Sequence, residues 1–389
     1  MKMSKNTNNK KTGHQILEGS RAIALTIKNI GVQVVSAYPI TPQTHIVEDL
    51  AQFKADGQAN YEYARAESEF AAASIVLGAS AAGVRAYSAT SSQGLLLMTE
   101  VLYNISGLRL PVVMTCANRS ISSPINIWND HADVMAIRDS GWLQFFAENH
   151  QEAVYAHLLA YKVAEQIGLP AIVNVDGFIL THSYEPVSIP DKKLIKKYLP
   201  DYKPAKGTFL DPKNPVTLGA LFGPDSYTGV RKDLYQDFQT SLSLIKKEYA
   251  LLKKIFKIKN NSDGLIEYTG PKKPKTILIT MGSLAGTIKT VLTQYPNVGL
   301  IKIMTLRPFP EQELIKATAS GSNIIILEKA VSPGSGGPLT LEIKAALSGQ
   351  KKNIKNYIVG LGGKNISEKE IRDIIEKAEQ KNKNLIFQK

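Results

Sequence analysis

The sequence predicts an α/β protein built from two units with mostly parallel sheets, and three observations carry that reading. From Glu18 to about Gly177, short apolar runs alternate with stretches of helical periodicity, the pattern of parallel strands covered by helices on both faces. From Ser183 to about Lys273 the texture changes to proline, lysine and tyrosine, with Pro186, Pro190, Pro200, Pro204, Pro212 and Pro215. From Lys275 onward the alternation resumes. A chain of 389 residues, 43% hydrophobic and 21% charged, is long enough for two domains that each bury a core. The expected divisions are a disordered or extended segment 1–17, a first α/β domain 18–187, a connector 188–273 and a smaller α/β domain 274–389.

In the first unit, strands are expected at 32–37, 61–64, 84–89, 111–117, 143–147 and 171–175, with helices at 69–82, 95–106 and 151–166. In the connector, Leu234, Phe238, Leu242, Ile245, Tyr249, Leu252 and Phe256 recur at three- and four-residue spacing. That places one apolar stripe on a long helix, to be packed on a domain or on a partner subunit. Strands of the second unit are expected near Thr276–Met281, 298–304, 323–327 and 357–360. The glycine-rich stretch Ser332-Pro333-Gly334-Ser335-Gly336-Gly337-Pro338 offers backbone amides to a phosphate but lacks a P-loop ending and dinucleotide spacing. It reads more simply as a tight strand-to-helix turn.

Composition narrows the chemistry. A single cysteine, Cys116, forms neither an internal disulfide nor an iron–sulfur ligand set, so cluster chemistry would belong to another chain. Its place in the apolar run 111–116 marks it as a buried small hydrophobe. The net charge of +13 is spread over lysines such as Lys192, Lys193, Lys246, Lys247, Lys253 and Lys254, with no nucleic-acid motif and no interleaved aromatics. Solvated lysine faces account for them, and an acidic protein partner stays open. The polar, lysine-rich N-terminus and the absence of a long apolar run lead us to expect a cytoplasmic protein without a membrane anchor.

Four polar elements follow successive predicted strands, so the fold brings them to one sheet edge, where open α/β sheets bind ligands. They are Thr41 within Tyr38-Pro39-Ile40-Thr41-Pro42, Glu69 after Glu67-Ser68, the turn Thr90-Ser91-Ser92-Gln93-Gly94, and Asn118-Arg119. A hydroxyl, a carboxylate at a helix start, a polar glycine turn and a guanidinium suit a small anionic substrate. Each also has a plainer reading. Thr41-Pro42 would serve as N-cap and first-turn proline of a helix through Ile46, Val47 and Leu50, Glu69 as a helix-dipole partner, the 90–93 turn as a cap and Arg119 as an exposed loop arginine. Asp130, His131 and Asp133 are harder to place, and residues 120–128 are expected to cover the substrate.

These motifs, together with Asn129-Asp130-His131-Ala132-Asp133, Asp176-Gly177-Phe178-Ile179-Leu180-Thr181-His182, Arg307-Pro308-Phe309-Pro310 and Gly360-Leu361-Gly362-Gly363, resemble the α subunit of 2-oxoacid:ferredoxin oxidoreductases, above all the multi-subunit type acting on pyruvate. The resemblance implies a thiamine-diphosphate-binding, pyrimidine-type domain followed by a transketolase C-terminal-like domain. It implies oxidative decarboxylation of pyruvate with coenzyme A to acetyl-CoA, electrons passing to ferredoxin. Thiamine diphosphate would be shared with a β subunit that carries the diphosphate and Mg2+ site, and γ and δ subunits would carry the iron–sulfur clusters. Glu69 would match the residue that hydrogen-bonds the pyrimidine ring, with Thr90, Ser91, Ser92 and Gln93 around the cofactor. Arg119 would bind the substrate carboxylate and Thr41 a substrate oxygen. A branched-chain 2-oxoacid as substrate, or a scaffold without catalytic residues, are the alternatives.

Overall fold

The computed structural model describes residues 14–377 and 385–388, so most of the expected N-terminal segment 1–17 lies outside the described residues. In chain order the strands are β1 (Gln15–Glu18), β2 (Val34–Ala37), β3 (Glu62–Arg65), β4 (Ala86–Thr90), β5 (Val113–Asn118), β6 (Leu143–Phe146), β7 (Ala171–Asp176) and β8 (Tyr184–Val187), then β9 (Ile266–Thr269), β10 (Thr276–Met281), β11 (Val298–Ile303), β12 (Thr305–Arg307), β13 (Asn323–Glu328), β14 (Asn353–Ile358) and β15 (Leu385–Phe387). The helices are α1 (Gly19–Ile30), α2 (Thr44–Ala55), α3 (Glu69–Ala81), α4 (Ser92–Leu97), α5 (Thr99–Gly107), α6 (Ala132–Ala136), α7 (His150–Ile167) and α8 (Lys192–Tyr198), then α9 (Pro224–Phe256), α10 (Leu284–Leu292), α11 (Glu311–Thr318), α12 (Pro338–Ala346) and α13 (Glu368–Glu376).

The first sheet has the order β12-β6-β7-β5-β4-β2-β3, parallel throughout except for β12. The chain leaves β2 toward one side and β4 toward the other, so a topological switch point lies between their carboxyl ends, the place where such sheets open a crevice. Uniformly buried runs such as Val113–Asn118 and Ala171–Asp176 form these central strands because both sheet faces are covered.

The second sheet, β15-β14-β13-β10-β11-β9, shows how alternation works when both faces are buried. Ile277, Ile279, Ile324 and Ile326 point into a core shared with Ala72, Met98, Trp142 and Ile172 of the first unit. Their neighbours Leu278, Ile325 and Leu327 point into a separate core beneath α10 and α13. The two units therefore share one continuous apolar layer.

Every residue of the predicted stripe on α9 lies in or against the core of the first unit, and the helix packs along α7. Of the two places proposed for it, a domain or a partner subunit, α9 takes the domain. Several elements differ from the sequence reading: β9 falls inside the expected connector yet pairs with β11, and β14 starts at Asn353 rather than near 357. The single helix expected at 95–106 is two, α4 and α5, meeting at Met98, and α4 starts earlier, at Ser92. The strand β12, from the far side of the connector, joins the edge of the first sheet. No helix among the described residues is long and apolar enough to cross a membrane.

Candidate active site

The edge formed by the carboxyl ends of β2, β3, β4, β5 and β7 gathers the residues singled out above. Ser68 caps α3 by accepting a hydrogen bond from the Ala71 amide at 3.2 Å, which makes Glu69 the first helical residue and turns it inward. Its side chain is nearly covered, 8% exposed, yet accepts no hydrogen bond from any described residue. Buried carboxylates are ordinarily hydrogen-bonded or paired, so one held in reserve marks a ligand position.

The 90–94 turn forms the opposite wall. A Cβ at Gly94 would lie 2.5 Å from Thr90 Oγ1 and 2.7 Å from Glu69 Oε1, so only glycine lets α4 approach the carboxylate. Thr90 Oγ1 and Gln93 Nε2 are buried there without partners. Ser91 and Ser92 are already engaged. Ser91 Oγ donates to the Ala117 carbonyl at 2.7 Å and Ser92 Oγ to the Ser120 carbonyl at 2.5 Å. From this turn, Thr90 and Gln93 thus keep hydrogen-bonding capacity to spare, while Ser91 and Ser92 spend theirs on holding the turn.

Thr41 does not cap α2, which begins three residues later with Gln43 before it. Instead Gln43 Nε2 donates to the Ala89 carbonyl at 2.6 Å and ties the turn to β4. Pro42 packs against Gly177, where a Cβ would fall 2.6 Å from Pro42 Cγ. Arg119 Nη1 donates to the Thr41 carbonyl at 2.9 Å and Nε to the Asn126 carbonyl at 3.1 Å, so the structure brings Thr41 and Arg119 together at the mouth of the crevice.

The Asn129–Asp133 motif resolves into three separate jobs. Asp133 is fully buried and knots the strand ends. It accepts from the Ser92 amide at 3.1 Å, the Arg119 amide at 3.0 Å and Asn118 Nδ2 at 3.1 Å. Burial raises its carboxyl above the usual range, those donors pulling it back only in part. Burial likewise pushes the Cys116 thiol up, and the adjacent Asp133 adds to it, leaving an unreactive buried hydrophobe.

His131 Nε2 lies 2.7 Å from Asp176 Oδ1, and Lys329 Nζ donates to Asp176 Oδ2 at 2.7 Å. Burial alone would raise Asp176, but the Lys329 and His131 charges outweigh it and hold the carboxyl well below its ordinary value. Asp130 accepts from the Gly362 amide at 3.2 Å, and burial lifts its pKa to about 6. Lys329 and Gly362, both from the second unit, were not singled out as site residues. A lysine directly after an apolar strand was the available signal.

Two groups elsewhere among the described residues have metal-like spacing. Glu148, Glu152 and Glu267 enclose the Lys302 ammonium at 2.5, 2.6 and 2.5 Å, which makes a buried ion cluster. Glu18 Oε1 meets His45 Nδ1 at 2.6 Å, with the His182 ring stacked on His45 at 4.5 Å. Neither faces Glu69. The glycine-rich turn before α12 binds its anion internally, for Glu328 accepts from the Leu339 and Thr340 amides at 2.8 and 3.2 Å.

Residues 26–250 match the family model described as pyruvate flavodoxin/ferredoxin oxidoreductase, thiamine diphosphate-binding, and residues 275–371 match pyruvate:ferredoxin oxidoreductase core domain II. The chain is 42% identical to pyruvate synthase subunit PorA of Methanocaldococcus jannaschii over 373 residues, covering 94% of this chain and 95% of that one. It is 39% identical to ketoisovalerate oxidoreductase subunit VorA of Pyrococcus abyssi, over 93% and 92% of the two chains. In fold it is similar to the 2-oxoglutarate:ferredoxin oxidoreductase of Magnetococcus marinus, solved with 2-oxoglutarate, coenzyme A and succinyl-CoA, at a TM-score of 0.74 and 20% identity. That likeness covers 94% of this chain and 65% of the longer one.

Proposed function

The chain belongs to the pyruvate flavodoxin/ferredoxin oxidoreductase family, and from that premise we propose that it is the α subunit of a multi-subunit pyruvate:ferredoxin oxidoreductase. The complex converts pyruvate and coenzyme A to acetyl-CoA and carbon dioxide, passing two electrons to ferredoxin. In this reading a β subunit holds the diphosphate and Mg2+, ferredoxin-like γ and δ subunits hold the iron–sulfur clusters, and the assembly is cytoplasmic.

One observation carries the proposal: the buried, unpartnered Glu69 carboxylate pressed against Gly94. It fits the pyrimidine end of thiamine diphosphate, whose ring nitrogen, once protonated, would donate the hydrogen bond that Glu69 lacks. When bound, the cofactor supplies a nucleophilic carbon and an electron sink for the decarboxylation. With the cofactor bound, Glu69 would hold the proton of the ring nitrogen, the acid–base role a carboxylate can take there. Thr90 Oγ1 and Gln93 Nε2 stand by to meet polar atoms of the same ring, with Ser91 and Ser92 fixing the turn beneath them.

At the mouth, Arg119 presents a planar cation to the 2-oxoacid carboxylate, and Thr41 gives a hydroxyl to a substrate oxygen. These residues favour an active subunit over a scaffold, because a site without chemistry has no reason to keep a buried carboxylate unpaired. The ketoisovalerate relative keeps a second substrate in view, for one or two methylenes change selectivity by only about 1–3 kcal/mol. Anaerobic purification of the assembled complex, followed by coenzyme-A-dependent viologen reduction with pyruvate and with 2-oxoisovalerate, tests the reading. Turnover with pyruvate as the preferred substrate is expected, in the complex and not in this chain alone. No turnover with either acid, with cofactor bound and clusters intact, would return the chain to a scaffold role.

A further inference from the structure

The Arg119 side chain does not hold itself in place. Its Nε donates to the carbonyl of Asn126, a residue in the loop between β5 and α6. Asn126 is the hub of that loop, since its Oδ1 accepts from Ser120 Oγ at 2.9 Å and from the Trp128 amide at 2.7 Å. The remaining arm of Asn126 points out of the first unit, where Nδ2 donates to the Gly362 carbonyl at 3.2 Å.

The Gly360–Gly363 turn returns three further contacts. The Gly362 amide donates to Asp130 Oδ2 at 3.2 Å, the Gly363 amide donates to the Asn129 carbonyl at 2.6 Å, and Trp128 lies against Gly363. Both glycines have positive φ, 57° and 80°. A Cβ at Gly362 would sit 2.5 Å from Asn126 Nδ2, and one at Gly363 would sit 2.4 Å from Trp128 Cβ. Beside them Lys329 Nζ donates to Asn129 Oδ1 at 3.0 Å, and its carbonyl accepts from the His131 amide at 2.7 Å. A loop stitched at four successive places to a turn with room for no side chain is a seat rather than a chance contact.

We propose that Asn126 is a positioning residue for the 2-oxoacid site, and that the Gly362-Gly363 turn of the second unit is the seat that sets the Arg119 guanidinium through it. The inference rests on the reading of Arg119 given above and deepens it. The smaller unit thereby adjusts substrate affinity through the loop that holds Arg119.

The test uses the reconstituted complex with three variants of this chain. Asn126→Asp keeps the Oδ1 acceptor that organises the loop, loses the donor to Gly362 and sets a carboxylate against that carbonyl instead. Gly362→Ala disturbs the same bond from the other side. Arg119→Lys is the control. Asn126→Asp and Gly362→Ala are each expected to raise the pyruvate KM roughly tenfold, the loss of about one well-placed hydrogen bond, with kcat within about twofold. The double variant should lose little more than either single one, since both break one link. Amide hydrogen exchange in residues 120–131 of the full chain should quicken in both, and less in Arg119→Lys, which loses the Nε donor to Asn126 but leaves the Gly362 contacts intact. A pyruvate KM that rises in Arg119→Lys but not in the other two, or exchange that does not quicken, overturns the seat. An unchanged KM in Arg119→Lys, with quickened exchange and raised KM in the others, overturns instead the role given to Arg119.

Discussion

Two buried glutamates sit beside helix starts in this chain, each facing a glycine, and they have opposite fates. Glu328, 2% exposed, fills the N-terminus of α12. It accepts from the Leu339 and Thr340 amides, from Thr340 Oγ1 at 2.6 Å and from Asn356 Nδ2 at 2.7 Å, and a Cβ at Gly337 would lie 1.8 Å from its Oε1. Glu69, 8% exposed and 2.7 Å from where a Cβ at Gly94 would lie, accepts from no described residue. Burial and a glycine wall therefore do not distinguish a working carboxylate from a structural one. What distinguishes them is whether the hydrogen-bonding capacity is spent inside the protein.

The sharpest way to break that comparison is to neutralise each glutamate in turn. Glu69→Gln should lower kcat of the complex by a hundredfold or more while the melting temperature of this chain moves by no more than about 2 °C. Near-normal turnover would remove Glu69 from the chemistry. Glu328→Gln should do the reverse. It turns an amide group toward donors that need an acceptor, costing about 2 kcal/mol in denaturant unfolding, with kcat and KM of the complex unaltered. A loss of activity without a loss of stability would make Glu328 functional.

The next effects sharpen the contrast between spent and unspent groups at the mouth of the site. Arg119→Lys keeps the charge and loses the fork, so the pyruvate KM should rise about tenfold with kcat nearly kept. Steady-state kinetics on the complex would show it. The smallest effect belongs to Asp130, whose carboxyl titrates at about 6 in the fold, against 3.8 for the free group. Because the folded value is the higher one, its contribution to stability is complete below the unfolded pKa and is lost as pH rises through 6. Relative to Asp130→Asn, the native chain should lose about 1 kcal/mol between roughly pH 5.5 and 7.5, read from urea midpoints. A pH-independent difference would show that Asp130 stays ionised throughout.

Much of this was legible in the sequence, for identifiable reasons. Apolar runs bounded by glycine or proline located the central strands of both sheets, since a strand buried on both faces has no other way to read, while the edge strands β9, β12 and β15 were not found. Seven apolar residues at helical spacing found α9 and also the face it buries. Thr41, Glu69, Thr90 and Arg119 stood out because they follow strands. The break at Met98 was not legible, because the residues on either side favour helix and the interruption answers to the packing of the 90–94 turn. Nor were Asn126, Lys329 and the Gly362 seat, whose partners lie 153 to 236 residues away. The filled N-terminus of α12 was missed for a different reason, because nothing in a glycine-rich turn announces that a strand residue ten positions earlier already occupies it.

The short strand β12 bears on how this chain can be taken apart. Its pairing with β6, together with the Lys302 ammonium lodged against Glu148 and Glu152, means that each unit completes the other. A fragment ending at the connector would carry an open strand edge on β6, stacked on an apolar sheet face stripped of its cover, and two acidic side chains without their counter-ion. Such a piece is an aggregating remnant, so gene fusions, tags and crystallisation fragments for this protein are best placed at the chain ends, never between the sheets.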